Sequence, residues 1–209
     1  VAEKKLASFW MIRHALVAPE ALSFLYGRND VPLCDHALAT QGARYAALAA
    51  RLPVDADWVV TPLSRTRLTA EKIFAGGYGT RDMLVEPGLV EQDFGDWQGR
   101  KIEEFNDRPV DQRHPFWPVA AAEQPPGGES FVEMIERVGR TIERLANIHQ
   151  GRNIVAVSHG GAIRAAIAYA MGLSAHQALT MSVENLSLTR LEYHGENWRF
   201  VSLNEQLST

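Results

Sequence analysis

Two short apolar runs that each end in a histidine constrain this chain more than any other feature. Leu6 to Ile12 is apolar except for Ser8 and passes directly into Arg13-His14. Asn153 to Val157 passes into Ser158-His159-Gly160-Gly161 and then an apolar stretch reaching Met171-Gly172. Short apolar runs bounded by charge or turn residues predict buried strands. A strand that turns through glycines into a helix is a unit of an α/β sheet. In such sheets ligands bind beyond the carboxyl ends of the strands. The pattern therefore gathers His14 and His159 at one sheet edge.

The rest of the chain extends the same alternation. Thr40 is placed to cap a helix running through Arg44 to Leu52, which Pro53 stops. Asp57 to Val60 predicts a second strand, and Ser64 starts a helix ending near Phe74-Ala75-Gly76-Gly77. Met83 to Glu86 predicts a short third strand. Ser130 with Glu133 forms a capping box, followed by Phe131, Ile135, Val138, Ile142 and Leu145 at helical spacing. Leu186 to Tyr193 and Trp198 to Leu203 predict a hairpin around His194-Gly195-Glu196-Asn197. The fold class that follows is α/β, a three-layer αβα sandwich with a mainly parallel central sheet, in a single domain over 1–209. Residues 100–128 break the pattern with Pro109, Pro115, Pro118, Pro125 and Pro126, and read as an insertion. A long excursion of this kind is often functional.

Composition narrows the function classes. The net charge is −4, without the basic excess of a general nucleic-acid or acidic-membrane binder. No apolar stretch approaches the ~20 residues of a membrane span. Val1 to Lys5 lead into an apolar run short for a signal-peptide core. Cys34 is alone, so no intrachain disulfide forms, which fits a reducing compartment. The expectation is a cytoplasmic protein, a monomer or homodimer, whose partner is a small molecule rather than nucleic acid or membrane. The seven histidines are scattered at 14, 36, 114, 149, 159, 176 and 194, with no His-Glu-x-x-His helix and no cysteine pair, so no metal site is expected. No Walker-type loop is present and no cofactor is expected.

A third predicted strand end, Thr61-Pro62-Leu63-Ser64-Arg65, brings a second arginine to the edge that holds Arg13. Two imidazoles with two guanidinium groups suit an anion. Here the sequence resembles a family. Arg13-His14-Ala15 resembles the Arg-His-Gly signature of the histidine phosphatase superfamily, the phosphoglycerate mutase-like enzymes. Thr61 to Ala70 resembles the second motif, Leu89 to Gly99 the third, and Val157-Ser158-His159-Gly160-Gly161 the fourth. The four occur in family order.

The resemblance implies phosphoryl transfer through a phosphohistidine. Neutral imidazole is a good nucleophile near pH 7, and a covalent intermediate divides hydrolysis into two easier steps. His14 is then the nucleophile, and Arg13 and Arg65 offer planar forks of donors to the phosphoryl oxygens. His159 adds a donor, a stronger one if it is the cation. Gly160 allows close approach at a helix N-terminus, which favours an anion. By the same resemblance Glu91 is the general acid that protonates the leaving alcohol and then the base that activates water. Phe94 and Trp97 read as packing, and Glu129 is assigned no role.

The departures are informative. Family members commonly continue with a Glu- or Gln-Thr pair, where this chain has Ala15-Leu16-Val17. Secondary phosphate contacts are thus missing or come from elsewhere. Tyr26 to Leu33, Pro115-Phe116-Trp117-Pro118 and Pro125 to Ser130 resemble the α-ribazole phosphatase branch, which implies a nucleoside phosphate of cobalamin synthesis. A broader substrate range, a mutase and a non-catalytic phospho-ligand receptor remain open at this point. Mutases of the family this chain resembles tend to carry a longer, basic insertion after the third motif, so the resemblance implies hydrolysis for a chain whose residues 100–128 are proline-rich and mildly charged.

Overall fold

The computed structural model describes residues 6–106, 108–109 and 113–207. The charged lead-in Val1 to Lys5 and four positions of the 100–128 excursion lie outside the described residues. Six strands form one sheet in the order β3-β2-β4-β1-β5-β6. They are β1 (Ala7–Arg13), β2 (Ala56–Val60), β3 (Met83–Val85), β4 (Asn153–Ser158), β5 (Leu188–Tyr193) and β6 (Trp198–Glu205). The first four run parallel; β5 is antiparallel to β1, and β6 to β5. The fold is therefore the mainly parallel α/β architecture the sequence predicts, with the closing hairpin at one edge.

Side chains alternate across a strand, and the central strands bury both sets. Phe9, Met11, Val59, Ile154 and Ala156 face one layer, with helices α4 (Phe131–Ile148) and α5 (Gly160–Met171). Trp10, Ile12, Trp58, Val60, Val155 and Val157 face the other, with α2 (Gly42–Arg51) and α3 (Ser64–Ile73). This is why β1, β2 and β4 read as continuous apolar runs rather than as alternation. Two short helices, α1 (Asp35–Thr40) and α6 (Ala175–Leu179), complete the α-helices among the described residues.

Most predicted elements fall within a residue or two of place. The Ser130 hydroxyl accepts from the Glu133 N–H at 3.2 Å, and the Glu133 carboxylate accepts from the Ser130 N–H at 2.7 Å. The Thr40 cap is corrected. Thr40 ends α1, where its hydroxyl donates to the His36 carbonyl, and the Gln41 backbone precedes α2. A threonine hydroxyl bonds back as readily to a carbonyl four residues earlier as forward to an N–H. The α4 face also rotates slightly: Met134 is fully buried and Ile135 only partly so.

Candidate active site

The sheet register assembles the site. In the parallel β1–β4 pair, Arg13 lies opposite Ser158, so the next residues on adjacent strands are His14 and His159. The His14 N–H donates to the Ser158 carbonyl at 2.9 Å, and the two imidazole centroids are 5.3 Å apart. On the other side of β4, Val60 pairs with Val157, which carries Thr61 to the flank of His159.

His14 is held from several directions. Its ring Nδ1 lies 2.7 Å from the Ala15 carbonyl. A carbonyl only accepts, so Nδ1 carries the proton and Nε2 presents its lone pair. The Ala15 N–H donates to the Thr69 hydroxyl on α3, and Asn185 Nδ2 donates to the His14 carbonyl. Leu186 sits at φ 59°, a conformation uncommon for leucine, and its N–H donates to the Arg13 carbonyl. Burial, then the Arg65 and Arg13 charges, push the His14 pKa well below its ordinary value. The ring is thus neutral, as a nucleophile requires.

His159 is equally neutral, driven down by burial first and then by Arg65 and by His14. The cationic form entertained for His159 is not the resting state. Its Nε2 lies 3.0 Å from the Thr61 hydroxyl, which accepts from the Leu63 N–H. The Thr61 proton has two acceptors in reach, Nε2 and the Thr66 hydroxyl at 3.2 Å; when it goes to Nε2, the imidazole carries its own proton on Nδ1. That Nδ1 is buried without a hydrogen-bond partner, so it is the atom left to donate to an anion. Sequence reasoning quoted Thr61 inside a motif but gave it no task; its place one residue past β2 was the available signal.

The guanidinium groups differ from the expected pair of open forks. Arg65 is 0% exposed and donates through Nη1 to the Asn29 carbonyl and through Nη2 to the Gly27 carbonyl, both at 2.7 Å. Arg13 donates through Nη1 to the Val183 carbonyl at 2.6 Å. The Nε of each is buried and unpartnered. Each arginine therefore ties down a loop while keeping N–H groups uncommitted.

Glu91 reaches the site because the Ser158 hydroxyl donates to the Leu89 carbonyl at 2.7 Å, pinning its segment to the end of β4. Its carboxylate accepts from the Gly161 N–H at 3.1 Å and the Gln92 N–H at 3.0 Å. A side chain at Gly161 would collide with that carboxylate, which explains the second glycine. Glu129 lies behind this wall. It pairs bidentately with Arg137, which also donates to the Gly88 and Val90 carbonyls. Glu129 is a scaffold residue, invisible as such in sequence because its partners lie on other segments.

Arg13, Tyr26, Glu91, Phe94, Trp117 and Arg164 line a cavity of about 170 Å³ that Gly160 also borders. Trp117 comes from the excursion and donates from Nε1 to the Gln92 side chain at 2.9 Å. Phe94 is buried and packs with Leu25, Phe105 and Val119, as a packing residue should, yet it also borders the cavity; the Trp97 ring lies tilted against Phe105. Val17 is buried and bridges to Leu33, so the segment after His14 offers structure rather than polar contacts to the site. The structure thus brings His14, His159, Arg13, Arg65, Glu91 and Gly160 to one place. It adds Thr61, Asn185 and Arg164. Arg164 was missed, although it follows Gly160 by four residues on a helix and so shares its face. Among the described residues no cluster of three or more His, Cys, Asp or Glu side chains could hold a metal ion, and no helix is long and apolar enough to cross a membrane. Chemically, the site can present a neutral imidazole nucleophile, several N–H donors for an anion, and a carboxyl for proton transfer.

Comparison with known proteins agrees with this geometry. A protein named "probable phosphoglycerate mutase GpmB", from Enterobacter sp. (strain 638), is 28% identical over 189 residues, covering 90% of this chain and 86% of that protein. Similar folds include a mycobacterial glucosyl-3-phosphoglycerate phosphatase (TM-score 0.78, 24% identity, 96% of this chain and 99% of that one). The α-ribazole phosphatase from Shigella flexneri is another (TM-score 0.75, 22% identity, 97% and 98%). The sequence profile of the histidine phosphatase superfamily (branch 1) matches residues 9–206, and the chain belongs to that family.

Proposed function

We propose that this protein is a phosphomonoesterase that hydrolyses a small organic phosphate through a phosphohistidine on His14. The observation that carries the reading is the fixed tautomer of His14, whose Nε2 lone pair faces the site while Nδ1 is engaged with the Ala15 carbonyl. In the first step Nε2 attacks phosphorus, the ester P–O bond breaks, and the leaving oxygen takes a proton from Glu91. In the second, Glu91 takes a proton from water, the water oxygen attacks phosphorus, and the P–N bond breaks. Inorganic phosphate leaves and His14 is restored. Arg13, Arg65 and the Nδ1–H of His159 hold the phosphoryl oxygens, and the α5 N-terminus faces the same charge.

α-Ribazole 5′-phosphate, and with it a cytoplasmic role in cobalamin synthesis, is one substrate candidate. The sequence of Tyr26 to Leu33 and the prolines around Trp117 support it, and the excursion brings aromatic walls to the cavity. Other sugar phosphates and nucleotides fit the same chemistry. The GpmB likeness favours a second reading, in which the phosphoryl group returns to another oxygen of the substrate.

The test incubates the protein with a panel of monoesters that includes 3-phosphoglycerate and α-ribazole 5′-phosphate. Phosphate release with an acid-labile, base-stable phosphoprotein is expected, and His14→Ala loses both. Conversion of 3-phosphoglycerate to its isomer without phosphate release makes it a mutase. Near-normal turnover by His14→Ala defeats the mechanism, and binding with no turnover of any ester makes it a receptor.

A further inference from the structure

Arg164 is a half-buried cation on the cavity wall that the proposed mechanism does not use. Its Nε donates to the Met181 carbonyl at 2.7 Å, and its guanidinium lies 5.4 Å from the Trp117 ring centroid. Among the described residues no hydrogen bond engages its two Nη atoms. Nη1 lies 3.0 Å from the point that a Cβ on Gly160 would occupy, and Arg13 Nε lies 3.4 Å from the same point. The two guanidinium groups therefore converge over the α5 N-terminus.

Their charges are set against few others. Burial pulls the Arg164 pKa down, the Glu91 carboxylate opposes that, and Arg13 adds to it. Glu184 also acts on Arg164, and Asp30 on Arg65, but both carboxylates are exposed and screened by water. Arg28 and Arg137 are paired to Asp93 and Glu129. When Glu91 holds the proton it donates, Arg13, Arg65 and Arg164 bring three positive charges to a phosphoryl dianion. One positive charge is left unmatched.

Its position says which part of the substrate would match it. Arg164 shares its wall with Glu91 and Trp117, and Glu91 marks the leaving-group side. We infer that Arg164 is a specificity residue that receives a second anionic group, a carboxylate or a further phosphate, on the leaving group of a short substrate. A guanidinium suits this because its fork pairs with either anion through two parallel hydrogen bonds. The inference rests on the phosphomonoesterase reading and names its substrate class.

Matched substrates test it. 3-Phosphoglycerate is compared with glycerol 3-phosphate, which lacks the carboxylate, and 1,3-propanediol bisphosphate with 3-hydroxypropyl phosphate. α-Ribazole 5′-phosphate serves as a large ester with no second anion. The expected result is at least a ten-fold preference in kcat/KM for the charged member of one pair, and the pair that shows it identifies the anion. In Arg164→Met that preference falls toward one, chiefly through KM, and in Arg164→Lys it falls part of the way. A residue that is only a strut between α5 and the Met181 loop, or a third phosphate ligand, would lower both members of a pair equally.

Equal lowering overturns the inference. So does wild-type protein with no preference in either pair, or with higher kcat/KM on α-ribazole 5′-phosphate than on every doubly charged ester. These wild-type outcomes decide the matter even if the variants fail to fold. Turnover of p-nitrophenyl phosphate accompanied by no preference sinks this inference alone. No turnover of any ester, with no phosphohistidine, sinks the reading beneath it.

Discussion

The floor of the site and the roof of the cavity beside it are built on different principles. The floor is the ends of β1, β2 and β4, where backbone pairing sets the register and His14, His159 and Arg65 are at most 1% exposed. The roof is the excursion that carries Trp117 and Pro118, held to other segments by isolated side-chain and backbone bonds. Trp117 is tied to Gln92. The buried ring of His114 accepts from the Phe116 N–H and donates to the His176 carbonyl, while Phe116 itself is 69% exposed. A rigid floor fixes reacting atoms, and a roof built from a variable segment can differ in what it admits. Substitutions in the floor should therefore strike kcat, and those in the roof KM.

The hardest test of that division is Glu91, which stands at the join. Glu91→Gln keeps the acceptor for the Gly161 N–H but removes the transferable proton. General acid–base catalysis contributes about 10²–10⁴-fold, so kcat should fall by that amount with KM little changed. Restoring a leaving group that needs no proton, as in p-nitrophenyl phosphate, should recover most of the first step in single-turnover measurements. An equal loss on both ester types would place Glu91 with the scaffold instead.

The buried histidines of the floor should also be visible in stability. In the folded protein the His14 and His159 pKa values lie well below the ordinary 6.5, so on acidification the unfolded chain takes up protons that the folded one refuses. Stability then declines as pH falls below about 6.5 and is flat above it as far as these groups are concerned. The slope reaches about 1.4 kcal/mol per pH unit for each proton of difference. Asp57 acts in a separate window. Its pKa is lowered chiefly by Arg152 and also by His149, so its contribution is present above about pH 4 and lost only below. Urea unfolding between pH 8 and 5 measures the histidine window apart from Asp57; His114, its pKa also lowered chiefly by burial, adds to that window, so the His14→Asn difference isolates the site's share. A His14→Asn variant whose slope matches the wild type would contradict the assignment.

How much of this was legible beforehand follows the same division. The floor was readable because each strand is an apolar run ending in a chemically conspicuous residue, and two parallel neighbours place those ends together. Arg13, His14, Arg65, His159 and Gly160 reach the site for that reason, whereas Glu91 was indicated by the family resemblance and is brought in by the Ser158 bond to the Leu89 carbonyl. The roof was not readable, since its contacts are isolated bonds between distant segments, from side chains as with Trp117 and Gln92 and from irregular backbone as with the Phe131 N–H and the Ala121 carbonyl. Arg65 illustrates the limit within the floor. Its arrival was foreseeable, but its bonds to the Gly27 and Asn29 carbonyls depend on where an irregular loop runs. Thr40 shows the local version, where a cap residue had two equally good hydrogen bonds and took the other.

Thr61 sharpens the account of the floor. Its hydroxyl is the partner of His159 Nε2, and donation to that nitrogen leaves the imidazole proton on Nδ1, facing the anion site. Thr61→Val is nearly isosteric and leaves a buried ring nitrogen without a partner, a loss of about 2 kcal/mol that corresponds to roughly thirty-fold. If the hydroxyl acts by setting the tautomer, the loss appears in kcat, and vanadate inhibition weakens in parallel. Thr61→Ser should restore both. A variant that only unfolds more easily, with kcat unchanged, would reduce Thr61 to packing.

The smallest effect should come from the roof. Trp117→Phe keeps an aromatic wall and the packing against Phe131 but removes the hydrogen bond to Gln92. The Gln92 carbonyl oxygen is then left in a nearly dry place, while its amide still donates to the Glu129 carbonyl. One lost neutral hydrogen bond amounts to about 1 kcal/mol, so KM should rise roughly five-fold while kcat stays within about two-fold. The division between floor and roof fails if kcat falls instead, because that would mean the Gln92 backbone, and through it the Glu91 carboxylate, is positioned from above. Measuring the p-nitrophenyl phosphate burst and steady state in the same variant separates the two, since only a displaced carboxyl slows the second step.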